Sequence, residues 1–486
     1  MAAIVLGLCL VTLKLGERIG INDGQGWDGM GYTAWAQDFW QHIVVEGVSR
    51  YSAQRVLPSA VVHYAMRAAG VAPTAHHAIA GFQALDTTVL VIAAALWAHL
   101  GHAMRWRRVA IWVGFVALFA CFANARHALY YPTLTDPTAF LLGLVVAWAY
   151  LLGHPIALWC ATAAAAFTFP ALLPVALVLL VLPRRTDDAS AEPRRWHRYL
   201  AAGLAVVGTA IFLTIARRSL AHPVPGFGLE KFAAWVLRDL LVLTVPLLVA
   251  WLAGGWYTLL AAPRLWDVRG YLRQLRVRRT AIAIVAIGVL LVARSLVLAT
   301  TGRNGEGGTT AQFLCEHTIA ALRGPLWGPV HHVVYYGPII LVAILQWRRI
   351  AAVVSGWGPA VPFALAIGVA FAAGSQSRQW NHLFALVVVA TIAATHALWT
   401  PRRAVLFALL CLAWSKLGFT IGYDQPLVAQ EFPNQRYFMT QGPWATTEMY
   451  LVHLAGAAVT LVFVWLLLRA PSPPRQVEEH AGAEER

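Results

Sequence analysis

The chain has 486 residues, of which 59% are hydrophobic, 12% charged and 21 tryptophan. Ordinary soluble domains carry about 25% charged residues, so the composition excludes a soluble globular protein. The net charge of +15 does not mark a nucleic-acid binder, because the basic residues stand in blocks between apolar runs: Arg105 to Arg108, Arg184 to Arg198, Arg264 through Arg279, Arg348 with Arg349, and Arg402 with Arg403. That spacing is the positive-inside signal that orients membrane helices. Apolar runs long enough to cross a bilayer, about 17–25 residues, recur throughout. The expectation is an all-α, polytopic transmembrane protein in a lipid bilayer.

In chain order, the run at about 2–19 lacks a basic leader and a small-residue cleavage site. It reads as a retained first helix. A long external loop, about 20–75, follows. Within it "YTAWAQDFWQHIVVEGV" sets Trp35, Phe39 and Ile43 four residues apart, the pattern of a helix lying in the membrane interface. "RVLPSAVVHYAMRAAG" is a second such helix, too short and too polar to span. Spans are predicted at about 77–100, 107–123 and 137–153. The run 155–183 is broken at "FTFP", and its two ends must both be cytoplasmic, so a pair of short helices meeting near Pro170 is expected. Further helices are placed at about 199–217, 234–262, 281–300, 333–347, 351–374, 382–399, 403–420 and 448–468. The total is about fourteen spans of bilayer-crossing length. Residues 1–470 form the membrane domain, and the Pro-rich tail 471–486 is expected to be a disordered cytoplasmic segment. No internal repeat is visible. Of the five cysteines, Cys9, Cys121, Cys160 and Cys411 lie in apolar runs and only Cys315 in an external loop, which gives no disulfide framework.

Ionisable residues at membrane depth are costly and therefore functional candidates. On the external side carboxylates are the minority among cations. One carboxylate among several cations is what a general base acting on a phosphate-bearing substrate needs. Asp28 leads "DGMGYTAWA" and Tyr32 follows four residues later, whereas Asp38 rides the interfacial helix and Asp23, in "NDGQG", has strong turn chemistry. Plain structural roles compete with function: a Gly-rich turn for Asp28, a helix N-cap for Asp136 before Pro137, and snorkelling to headgroups for Arg55. The pair His331 and His332 points to different sides of a helix with no further ligand at metal spacing. "TGRNGEGGTT" (301–310) lacks the Lys-Ser/Thr of a phosphate loop.

The segment "DGMGYTAWA", directly after the first helix, resembles the first external loop of GT-C fold membrane glycosyltransferases. The likeness continues in "YSAQRVLPSAVVHYAMRAAG" (51–70), in "YYPTLTDPTAFLLG" (130–143) and in "SQSRQWNHLFALVV" (375–388). The "WDGMGY" form with the later "RVLP" is similar to bacterial members tied to cell-surface glycopolymers. The resemblance implies a GT-C-like fold in the bacterial inner (cytoplasmic) membrane, with its active site on the periplasmic side. It implies an inverting transferase that moves a sugar from a polyprenyl-phosphate donor to a glycan, lipid or protein acceptor. Asp28 would be the general base, and Asp136 would position the acceptor or a divalent cation, Mg or Mn. Tyr32, Arg55, Arg126, Arg378 and His382 would bind substrate, with the guanidinium groups of Arg55 and Arg378 on the lipid-linked phosphate. Gly29 stands where many members carry an acid after the catalytic Asp, which leaves the metal requirement open. A transporter or flippase of lipid-linked sugars, and a glycopolymer polymerase or ligase, are the competing expectations.

Overall fold

A computed structural model describes residues 1–182, 184, 195–222, 233–266, 277–302, 310–374, 376–421 and 445–469, and every regular element among them is helical. The tail 471–486 and the loop "TGRNGEGGTT", apart from its ends, lie outside the described residues. The chain opens with α1 (Ala2–Leu15), α2 (Gly29–Gln37), a π-helical turn (Trp40–Glu46), a 3-10 turn (Ser52–Arg55) and α3 (Leu57–Ala68). Next come α4 (Ala75–Ala103), α5 (Arg108–Phe119), α6 (Ala128–Tyr130), α7 (Asp136–Leu152), α8 (Pro155–Ala165) and α9 (Leu172–Val181). Then follow α10 (Arg195–Ala221), α11 (Leu241–Leu260), α12 (Val277–Thr301), α13 (Thr310–Ala321), α14 (Trp327–Tyr336), α15 (Ile339–Leu345), α16 (Trp347–Ser355) and α17 (Ala360–Phe371). A 3-10 turn (Ser377–Trp380) leads into α18 (Asn381–Thr395), and α19 (Pro401–Ser415) and α20 (Thr447–Arg469) complete the order.

Among the described residues, six segments are long and apolar enough to cross a membrane: Ala75–Ala103, Arg195–Ala221, Arg238–Leu260, Ala283–Thr301, Ser377–Leu398 and Thr447–Arg469. A seventh arises if α5 and the segment Ala123–Tyr130, bent by 55°, count as one span. Fourteen were expected. The expected spans at α1, α7 and α17 are instead shorter apolar helices of 10–17 residues, and α8 and α9 are short as expected. At 1.5 Å per residue these cover about 15–25 Å, less than the ~30 Å hydrocarbon core. The run 333–347 is cut where Gly337 takes a positive φ of 79° and Pro338 follows, and the run 351–374 is cut between Ser355 and Ala360. The break expected near Pro170 is present between α8 and α9.

The two helices expected after the first span are also there. Trp35, Phe39 and Ile43 share one face, packed with Val48, Ala53 and Val56. The four-residue spacing continues through the π-helical turn because Asp38 ends α2 and its Oδ1 accepts from Gln41 N at 3.0 Å.

At the centre, α18 is buried over nearly its whole length, as an all-round apolar helix must be. The peripheral helices turn apolar side chains outward: Val206 on α10, Val292 on α12 and Val459 on α20 are 63%, 60% and 72% exposed. Such a sheath matches an apolar solvent. α7 lies hard against α18. A Cβ on Gly143 would stand 2.0 Å from the His382 carbonyl oxygen, so only glycine permits the approach. Asn381 Nδ2 then donates to Asp136 O at 2.8 Å and ties the two helix N-termini together.

Gly143→Ala should therefore destabilise the fold by about 1–3 kcal/mol, the cost of overpacking. Gly7→Ala, with nothing within 4 Å, should leave stability unchanged. Thermal unfolding in detergent checks both, and equal midpoints for the two variants would contradict the packing described.

Candidate functional site

Asp28 stands immediately before α2, in a loop seated on residues 131–133. Asn22 and Asp23 take left-handed φ values of 50° and 54°, so Asp23 is the turn residue its neighbours predict. Gly26, with φ of 70°, has no room for a Cβ, which would fall 2.3 Å from the Tyr131 ring; a Cβ on Gly29 would fall 2.0 Å from Thr133 Oγ1. Gly29 N donates to the Tyr131 hydroxyl at 3.2 Å, and Thr133 Oγ1 donates to Gln25 O at 3.0 Å. The glycines flanking Asp28 thus fix its backbone.

The carboxylate is held as firmly. Arg378 donates to Asp28 Oδ2 at 2.8 Å from the turn ahead of α18, across 350 residues of chain. The Arg378 side chain is 23% exposed and that of Asp28 44%, so the pair stays accessible. Burial among protein atoms pushes the Asp28 carboxyl up, but Arg378 first and then Arg55 outweigh it and hold it below the usual carboxylate range.

The Arg378 turn is itself clamped. His332 Nε2 faces Ala372 O at 3.1 Å, an atom that can only accept, so Nε2 carries the proton; Nδ1 then accepts from Ser377 Oγ at 3.0 Å. Tyr336 donates to Ser377 O at 2.5 Å, and Trp380 Nε1 donates to Gly368 O at 3.2 Å. His332 is a structural clamp. Its neighbour His331 has Nδ1 2.9 Å from Trp327 O.

Arg55 does not snorkel. It is 5% exposed and runs inward beneath aromatic rings, 4.5 Å from the Tyr51 centroid and 5.0 Å from that of Phe169. It donates to the Tyr32 hydroxyl at 3.3 Å, to the Tyr51 hydroxyl and to Gln379 Oε1 at 3.3 Å, and makes no salt bridge among the described residues. Tyr32 thus packs beside Arg55, and burial pushes its phenol up to about 12 despite that nearby charge.

Asp136 is buried at 5% exposure and lies within the electrostatic reach of Arg378, Arg55 and Asp28. It is not the N-cap that Pro137 suggested: Thr135 holds that position and Asp136 is the first helical residue. His382 lies behind the site with its ring 5.5 Å from Phe169. Arg126 is elsewhere. It donates to Lys416 O and Phe419 O, both at 2.6 Å, and sits 3.5 Å from Glu17, so its charge is spent on ordering backbone rather than on substrate.

Sequence reasoning missed Glu316, Gln376, Gln379 and Tyr51. Gln376 donates to Glu316, accepts from Gln379 at 3.1 Å, and so links the acid to Arg55. The available signal was two glutamines flanking Arg378 in "SQSRQW" and one acid in the otherwise uncharged "FLCEHTIAAL". For the divalent cation, the donor set does not fit. Among the described residues no group of three or more His, Cys, Asp or Glu converges to hold a metal, and Arg378 already occupies an Asp28 oxygen.

The molecule is thus an all-helical protein with helices apolar enough to cross a membrane, carrying an accessible acid between two arginines at the helix ends. No family model, curated protein or solved structure matches the chain.

Because two guanidinium groups set the Asp28 ionisation, Arg378→Met should move its midpoint upward, into or above the ordinary carboxylate range. Difference infrared titration against Asp28→Asn reads this directly. An unmoved midpoint would show that Arg378 is not the controlling charge.

Proposed function

We propose that the protein is an inverting glycosyltransferase, in which Asp28 deprotonates an acceptor hydroxyl that displaces a lipid-linked phosphate from the anomeric carbon of a sugar. The observation that carries this reading is the accessible, ionised Asp28 beside Arg378 with a second, carboxylate-free arginine behind it. A base must be ionised at the working pH and near the proton it takes. The leaving phosphate needs fixed cations where its charge develops, and arginine forks suit its oxygens. Leaving Arg55 buried without a counter-charge is costly, a cost that an anionic substrate would relieve.

An adjoining apolar cavity would suit a short piece of hydrocarbon chain. This cavity of about 170 Å³, lined by Trp251, Ile340, Trp347 and Val369, reaches His332 and Trp380 beside the Arg378 turn. The bacterial inner membrane, the periplasmic face and the polyprenyl carrier follow from the likeness to GT-C enzymes and belong to this proposal.

One observation favours the transport reading. Asp86 lies near the middle of α4, 0% exposed, and neither carboxyl oxygen has a hydrogen-bond partner. Intramembrane acids of this kind mark ion and proton pathways.

Purified protein in lipid should transfer sugar from polyprenyl-phosphate donors, and Asp28→Asn should lower kcat by about 10²–10⁴-fold with expression retained. Turnover of Asp28→Asn at the wild-type rate would overturn the assignment. Loss of substrate translocation in Asp86→Asn, with no transfer by the wild type, would favour transport.

A further inference from the structure

We propose that Glu316 is a second catalytic residue, the general acid that donates a proton to the departing phosphate; this rests on the transferase reading above. Glu316 comes from α13 and is 4% exposed. It lies within electrostatic reach of Arg378 and Asp28, and Tyr51 senses Arg55, Asp28, Arg378 and Glu316 together. Arg378 pairs with Asp28, and Arg55 is joined to Glu316 through Gln379 and Gln376.

The direction of its hydrogen-bond rail is fixed by chemistry. Arg55 can only donate, so the Gln379 oxygen accepts from it at 3.3 Å. Gln379 Nε2 must then donate to Gln376 Oε1, at 3.1 Å, and Gln376 Nε2 donates to Glu316 Oε1. The rail ends on one carboxyl oxygen and leaves the other to carry a proton. Burial pushes the Glu316 carboxyl up to about 7, although Arg378 and the Gln376 hydrogen bond both oppose this. Asp28 is held low while Glu316 is held high. Two carboxyls whose surroundings drive them apart are suited to base and acid roles in one site.

The other groups around Glu316 do not take over this role. α10 meets α13 through Leu220, packed with Ile319 and Cys315, and its Arg217 and Arg218 are exposed. From α14, His332 is engaged with Ser377 and Ala372. On α13 itself, His317 Nε2 lies 3.2 Å from Ala370 O.

The step balances. The acceptor hydroxyl gives its proton to Asp28 as its oxygen bonds to the anomeric carbon. The bond from that carbon to the phosphate oxygen breaks, its electron pair goes to the oxygen, and that oxygen takes the Glu316 proton. The products are the glycoside, the lipid hydrogen phosphate, neutral Asp28 and ionised Glu316, and proton exchange with solvent restores both acids.

Two measurements on the full chain in lipid test this. Dicyclohexylcarbodiimide adds covalently to protonated buried carboxyls, so mass spectrometry after labelling should find Glu316 modified near neutral pH, with yield falling as pH rises through about 7, and Asp28 unmodified. Glu316→Gln should lower kcat about 10²-fold and abolish the alkaline fall of the rate, while Glu316→Asp retains that limb. Glu316 unlabelled at every pH, or a Glu316→Gln variant with wild-type kcat and pH profile, overturns the proposal. If the wild type transfers no sugar, the transferase reading and the acid step resting on it fail together, while labelling still reports whether Glu316 holds its proton. If the wild type transfers sugar and Glu316→Gln does so equally well, only the role of Glu316 fails.

Discussion

The contact from Arg378 to Asp28 joins the two ends of the fold that make the site, and the rest of the local structure serves it. An isolated charge inside a protein is expensive. Each member of this pair makes the other tolerable, yet the pair stays accessible enough to be opened by a substrate. On either side, backbone is pinned by groups with no chemistry of their own. Gly26 and Gly29 allow the acid's loop to lie on Tyr131 and Thr133, and Ser377, His332 and Tyr336 hold the arginine's turn.

Around this pair the site runs a surplus of positive character. Arg55 is accommodated by hydroxyls, an amide oxygen and two aromatic faces instead of a carboxylate. Cation–π contacts stabilise a guanidinium without neutralising it. The N-termini of α7 and α18, tied together through Asn381 and Asp136, add the positive ends of two helix dipoles. The arrangement favours an anion without holding one of its own in permanent contact with Arg55.

Much of this was legible in the sequence, and the reasons differ by residue. Asp28, Arg55 and Arg378 stood out because charge is scarce in an apolar chain, Tyr32 because it follows Asp28 by four residues in "DGMGYTAWA", and the structure brings all four together. The two helices after α1 were legible because a four-residue apolar spacing survives a change from α to π geometry. Arg126 misled, since a guanidinium that caps backbone carbonyls looks in sequence like one that binds phosphate. The expected span count exceeds the six helices of crossing length among the described residues, because hydropathy measures apolar length, not helix continuity, and the Gly337-Pro338 break interrupts a run that remains apolar. Glu316 and Asp86 went unnoticed: their partners, or lack of them, depend on helix packing that no local pattern encodes.

The separation of 350 residues between the paired charges also sets an order of assembly. A chain emerging from the ribosome presents Asp28 early, on a loop whose seat at residues 131–133 is made soon afterwards. Its counter-charge arrives only when the turn before the central helix has been synthesised and that helix has entered between its neighbours. Until then the acid lacks its ion-pair partner. Maturation of the site is thereby coupled to completion of the helical core, and a prematurely ended chain carries the loop but not the ion pair.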